Sequence, residues 1–128
     1  MKKIKLIFIY FLLTVVIFAQ EGYIASFNTL RLGKSQKDYT LTAQTLEMFD
    51  IAGLIEVMDV EGVEKLVNAL NKVSGEKWDY HISPYPVGKN SYKEYLAYIW
   101  KRDKVEFLKE RGFYKDAEEK FARPPPCA

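Results

Sequence analysis

A glutamate closes the apolar run Leu54-Ile55-Glu56-Val57, and an asparagine closes Ser26-Phe27-Asn28. A carboxylate at the end of a buried strand is costly unless a cation or a hydrogen-bond donor faces it. Strand ends are also where open α/β sheets bind their ligands. Glu56 and Asn28 both offer oxygen to a hard divalent cation such as Mg²⁺, which is often held by one or two carboxylates with waters completing the shell. The spacing leaves a plainer reading open, in which Glu56 pairs with a lysine or arginine and Asn28 caps a turn.

Three further features carry chemical groups. The run Asn90-Ser91-Tyr92-Lys93-Glu94 follows a loop rich in proline and glycine and leads into a strand. An aromatic ring beside a cation, Tyr92 and Lys93, suits contact with a sugar-phosphate backbone, although a solvated strand entry fits the same residues. Arg123 precedes three prolines, whose stiff backbone would hold a guanidinium able to fork onto a phosphate; a plain surface loop is the alternative. His81 is the only histidine, and its place between Tyr80 and Ile82 reads as structural. A two-histidine acid–base pair is therefore excluded within this chain. The sequence holds no glycine-rich phosphate loop, no Cys/His metal cluster and no nucleophile elbow.

The elements that must position these groups are legible. Residues 23–30 alternate and are rich in β-formers, which predicts a strand. Asp38 suits the cap of a helix reaching about residue 49, with Leu41, Thr45, Met48 and Leu46, Phe49 at helical spacing. Residues 51–57 read as a short strand buried on both faces. Val63, Leu66, Val67, Leu70 and Val73 form one helical stripe. Glu61 and Glu64 near its start, Lys72 near its end and Gly75 just beyond complete the helix signature. Residues 78–83 predict a third strand, 94–100 a fourth and 105–108 a fifth. The prolines at 124–126 exclude a central strand there.

The predicted order is β-α-β-α-β-β-β. It implies an α/β (α+β) fold, a mixed sheet with helices on one face. The opposite sheet face is then apolar and uncovered, as in a unit that packs against something outside these residues.

The start of the chain speaks to its compartment. Lys2, Lys3 and Lys5 precede an apolar run over residues 6–18, and Ala19 suits a cleavage position. This is the layout of a secretory signal peptide over residues 1–19, which implies a secreted or periplasmic protein with no stable membrane association after cleavage. The run is short for a membrane-spanning helix; a retained anchor is the alternative. The mature region, residues 20–128, keeps 16 basic and 17 acidic residues after loss of the three lysines, a net charge of −1. It has no overall positive field for a polyanion, so a local patch or bound cations must supply one. Cys127 is the only cysteine, which excludes an internal disulfide.

Taken in order, four motifs resemble the first half of the deoxyribonuclease I-like branch of the endonuclease/exonuclease/phosphatase superfamily. They are Ser26-Phe27-Asn28; Phe49-Asp50-Ile51 with Glu56-Val57 and Asp59; Asn90-Ser91-Tyr92-Lys93-Glu94; and Phe121-Ala122-Arg123-Pro124. The resemblance runs from residue 23 to about residue 125, and the Ser-Tyr-Lys-Glu run is its most diagnostic part. It implies the N-terminal half of a four-layer α/β/β/α sandwich, truncated at its C-terminal side. It further implies a metal-dependent phosphodiesterase, a nuclease acting on nucleic acid, with DNA the expected form. The cofactor would be Mg²⁺, with Ca²⁺ as an additional structural ion.

By the same resemblance, Glu56 is the main divalent-cation ligand, with Asn28 beside it. Tyr92 contacts the nucleic-acid backbone in the minor groove, and Lys93 lies next to it. Glu94 orients a catalytic histidine, and Arg123 holds the scissile phosphate. Met58 and Leu30 stand where the family has arginines, which puts its usual grip on duplex DNA in question. The catalytic histidines are absent from these residues, so the chain alone is expected to be inactive. A phosphatase or a sphingomyelinase-like phosphohydrolase of the same superfamily is the second expectation. A non-catalytic fragment or binding partner is the third.

Overall fold

A computed structural model describes residues 21–121 except 90, 116 and 119. The expected signal peptide, Asn90, Arg123 and Cys127 lie outside the described residues. Among the described residues, six elements follow one another: β1 (Ile24–Leu32), α1 (Tyr39–Leu46), β2 (Ile51–Val57), α2 (Val60–Ser74), β3 (Trp78–Ile82) and β4 (Tyr95–Lys101). The strands form one mixed sheet in the order β1-β2-β4-β3. β1 and β2 run parallel, while β4 lies antiparallel to both β2 and β3. This is an α+β arrangement, consistent with half of an α/β sandwich.

Local chemistry sets the helix ends. The Asp38 carboxylate accepts from Leu41 N at 2.9 Å and starts α1. Asp59 does the same for α2, accepting from Gly62 N at 2.8 Å. Each cap satisfies an amide that the helix itself leaves unbonded. Gly75 ends α2 in the left-handed conformation. The predicted helix over residues 38–49 stops at Leu46. Phe49 N turns back onto Leu46 O, and Asp50 N reaches Tyr23 O at 2.8 Å. Residues 47–50 thus serve the entry to β2 rather than another helical turn.

The core lies between the two helices and one sheet face. Ala43 and Leu46 of α1 and Val63, Leu66 and Leu70 of α2 meet Ala52, Leu54 and Val57 of β2 and Ala97 and Ile99 of β4, all fully buried or nearly so. Truncating one of the leucines to alanine would cost about 2–5 kcal/mol. At the end of the sheet away from the strand-end motifs, the partly buried Lys101 ammonium lies 3.0 Å from Glu76 and 3.8 Å from Asp50. It also sits over the Trp78 ring.

The predicted fifth strand at residues 105–108 does not form. The reason is topological: β4 is central, with both of its edges taken by β2 and β3, so a hairpin after β4 has no ladder to join. The chain instead crosses the second sheet face. Phe107 stacks on His81 at 4.4 Å between centroids and on Trp100 at 5.8 Å. The expectation of an uncovered apolar face therefore holds only in part. The β3–β4 side is covered, while Ile24 and Ile55 on the β1–β2 side remain exposed.

Candidate active site

Parallel pairing of β1 with β2 brings the two strand-end motifs together. Asn28 stands opposite Ile55, the last pair before the β1–β2 register shifts; pairing resumes at Leu32 and Val57. The β2–β4 register shifts in the same place, between Leu54 and Val57. Glu56 lies inside both irregularities, with φ of 61°. Leu30 and Arg31 are also left-handed, at φ of 49° and 63°. For non-glycine residues each such conformation costs on the order of 1–3 kcal/mol, and the surrounding structure must hold it. Clustering of this strain at one strand end is the pattern of a site.

Specific hydrogen bonds hold that strand end. Asn28 Nδ2 donates to Glu56 Oε1 at 3.0 Å. Its Oδ1 accepts from Leu30 N at 2.8 Å, so both ends of the Asn28 amide are fixed. Thr29, buried beneath, sends its hydroxyl to Ile55 O at 2.8 Å and Glu56 O at 3.0 Å. Ser35 Oγ closes the following turn onto Leu30 O and Arg31 O. Beyond β2, Met58 N donates to Leu32 O.

Close backbone approach brings the start of α2 against this turn. Gly33 has φ of 95°, and a Cβ there would fall 2.2 Å from the capping oxygen of Asp59. No other residue fits without displacing that cap.

Glu94 enters the same end of the sheet one step before β4. It is only 1% exposed, and its backbone forms a two-bond bridge with Val87. The Pro/Gly loop needs Gly88 at φ of 146°, because a Cβ would meet Tyr92 O at 2.2 Å. The folded loop leaves Tyr92 and Lys93 exposed beside the buried Glu94.

The antiparallel β4 start and the parallel β1 and β2 ends thus deliver Asn28, Glu56 and Glu94 to one end of the sheet. Among the described residues, no three His, Cys, Asp or Glu side chains gather as a metal cage. A single carboxylate aligned by an amide fits a hard cation that keeps most of its waters. His81 is elsewhere: its Nε2 lies 3.6 Å from Glu110 Oε2 on the second sheet face.

The chain is similar to several deoxyribonucleases. A deoxyribonuclease of Thioalkalivibrio sp. (strain K90mix) is 34% identical over 103 residues, covering 80% of this chain and 28% of that protein. Deoxyribonuclease-1 of Gallus gallus is 34% identical over 113 residues, 80% of this chain and 39% of its own length. Deoxyribonuclease-1 of Homo sapiens is 33% identical over 99 residues, 73% and 34% respectively. Over the part it spans, the chain is deoxyribonuclease I-like. It spans roughly a quarter to two-fifths of the length of these relatives. No protein-family model matches it.

Of the deoxyribonuclease I-like motifs, those carrying Asn28, Glu56, Tyr92, Lys93 and Glu94 come to one end of the sheet, and the motif carrying Arg123 lies outside the described residues. The residue that sequence reasoning missed is Thr29. Its only signal was a hydroxyl on the core-facing side of an otherwise apolar strand, next to Asn28. The backbone reversals at Leu30, Arg31 and Glu56 carry no signal in residue type, since none is glycine.

Proposed function

We propose that these residues form the N-terminal half of a secreted, Mg²⁺-dependent phosphodiesterase that cleaves DNA by attack of water on phosphorus. The observation that carries this reading is the Asn28–Glu56 pair, which aims one carboxylate at a strained strand end. The names of the relatives support the reaction class.

In this reading Glu56 binds the cation, and Asn28 fixes one of its carboxylate oxygens by donating to it. The chemistry supplied by such an ion is neutralisation of charge on the phosphate and the leaving oxygen. Tyr92 and Lys93, exposed at the rim, hold the sugar-phosphate backbone. Glu94 orients a histidine contributed from outside these residues, and Arg123 steadies the scissile phosphate. With Met58 and Leu30 in place of arginines, the grip on duplex DNA rests on fewer cations. This chain alone is inactive, because its one histidine is engaged with Glu110 and Phe107 on the second sheet face.

The test is a titration of the full chain with Mn²⁺, followed by NMR. Paramagnetic broadening that begins at Glu56 and Asn28 supports the proposal. Broadening that spares both, while other carboxylates respond, contradicts it.

A further inference from the structure

Thr29 is 3% exposed between Asn28 and Leu30, both of which face solvent. Its side chain points to the core side of β1, where alternation would place a purely apolar residue. The hydroxyl does not serve its own strand. It crosses to β2 and donates toward two successive carbonyls, Ile55 O at 2.8 Å and Glu56 O at 3.0 Å. One proton is shared between two acceptors.

Those carbonyls lie where β2 loses its register: Glu56 pairs with neither neighbouring strand, while Ile55 keeps its pairing with Asn28 on β1 and has none on β4. The ladder to β1 is interrupted after the Asn28–Ile55 pair, and the ladder to β4 is interrupted after Leu54. A strand carbonyl that loses its ladder partner takes another donor where one is in reach, and the Thr29 hydroxyl supplies one in a part-buried position. The same contact spans the peptide leading into Glu56, whose φ is 61°. That reversal turns the Glu56 side chain toward Asn28 Nδ2. Valine would fill nearly the same volume at position 29 but donate nothing.

We propose that Thr29 is a positioning residue: its hydroxyl pins the bulge in β2 and thereby sets the direction of the Glu56 carboxylate. This rests on the reading of Glu56 as the cation ligand, and it adds the device that aims it. Thr29 touches neither substrate nor cation.

The experiment uses the full chain and the variants Thr29→Val and Thr29→Ser. NMR reads the Asn28–Glu56 coupling as the change in the Asn28 side-chain amide shift on Glu56→Ala, a readout that needs no metal. That change should be clear in the otherwise unaltered chain and in Thr29→Ser, and the coupling should disappear in Thr29→Val. Mn²⁺ affinity should fall about tenfold in Thr29→Val and return in Thr29→Ser, about the loss seen when a ligand's supporting partner is removed. A folded Thr29→Val chain with undiminished Asn28–Glu56 coupling overturns the proposal. If the unaltered chain binds no Mn²⁺, the cation reading fails, and the amide readout still decides the role of Thr29. If Thr29→Val does not fold, the Thr29 hydroxyl proton of the unaltered chain decides: slow exchange with water supports the pin, and fast exchange overturns it.

Discussion

Asn28 Nδ2 lies 3.0 Å from Glu56 Oε1, joining residues 28 positions apart across two parallel strands. The other end of the same amide is tied to Leu30 N. The contact therefore fixes the direction of a carboxylate as well as joining two strands. Glu56→Gln keeps the shape and an acceptor oxygen for Asn28 but removes the charge. Its expected stability change is small, within about 1 kcal/mol by urea denaturation. Asn28→Ala strips a donor from Glu56 and an acceptor from Leu30 N together, and should cost about 1–2 kcal/mol.

Gly33 and Asp59 give a sharper structural prediction. A Cβ at position 33 would fall against the Asp59 carboxylate, and the backbone there is left-handed. Gly33→Val should lose more than about 2 kcal/mol, combining backbone strain with loss of the α2 cap. Asp59→Ala should lose only the cap, about 1 kcal/mol. Equal losses in the two variants would show that the close approach does not matter.

The strap over the second sheet face is testable by fluorescence. Trp100 is 5% exposed, with Phe107 stacked over it. Phe107→Ala should shift the tryptophan emission to longer wavelength and lower stability by about 1 kcal/mol. An unchanged spectrum would mean that other contacts keep Trp100 from water.

Tyr80 links β3 to α2 through its hydroxyl, which donates to Glu64 Oε1 at 3.0 Å. Burial raises its pKa, and the bond to Glu64 raises it further. A phenol whose folded pKa is raised contributes stability that is complete below the unfolded value near 10 and is lost as pH rises through the folded value. Stability should therefore decline above about pH 10, and Tyr80→Phe should flatten that decline. Ultraviolet titration of Glu64→Gln should show Tyr80 ionising at lower pH than in the unaltered chain.

The parts of the fold readable from sequence are those set by local chemistry. Asp38, Asp59 and Gly75 mark helix ends through bonds made within a few residues. The α2 stripe specifies a face, and the short apolar run Ile51–Val57 forms the expected strand, but it is buried on one face only, with Ile55 exposed on the other. The errors arise where tertiary contacts decide. Residues 105–108 look like a strand, but the edges of β4 are already occupied. The first helix ends early because Asp50 N is needed by Tyr23 O.

The site divides in the same way. Glu56 and Asn28 were legible as polar residues closing apolar strands, where burial without purpose is costly, whereas Glu94 was legible only through the resemblance carried by the Ser-Tyr-Lys-Glu run. Thr29 was not, because its role depends on a register shift in a different strand. The left-handed backbone at Glu56 was equally hidden, since residue type gives no sign of it.

Calorimetric titration of the full chain and of Glu56→Gln with Mg²⁺ tests the central claim most directly. The account predicts binding to the unaltered chain that weakens at least about tenfold, ~1.4 kcal/mol, in Glu56→Gln, with the fold intact by circular dichroism. Equal Mg²⁺ affinity in the two folded proteins would contradict it.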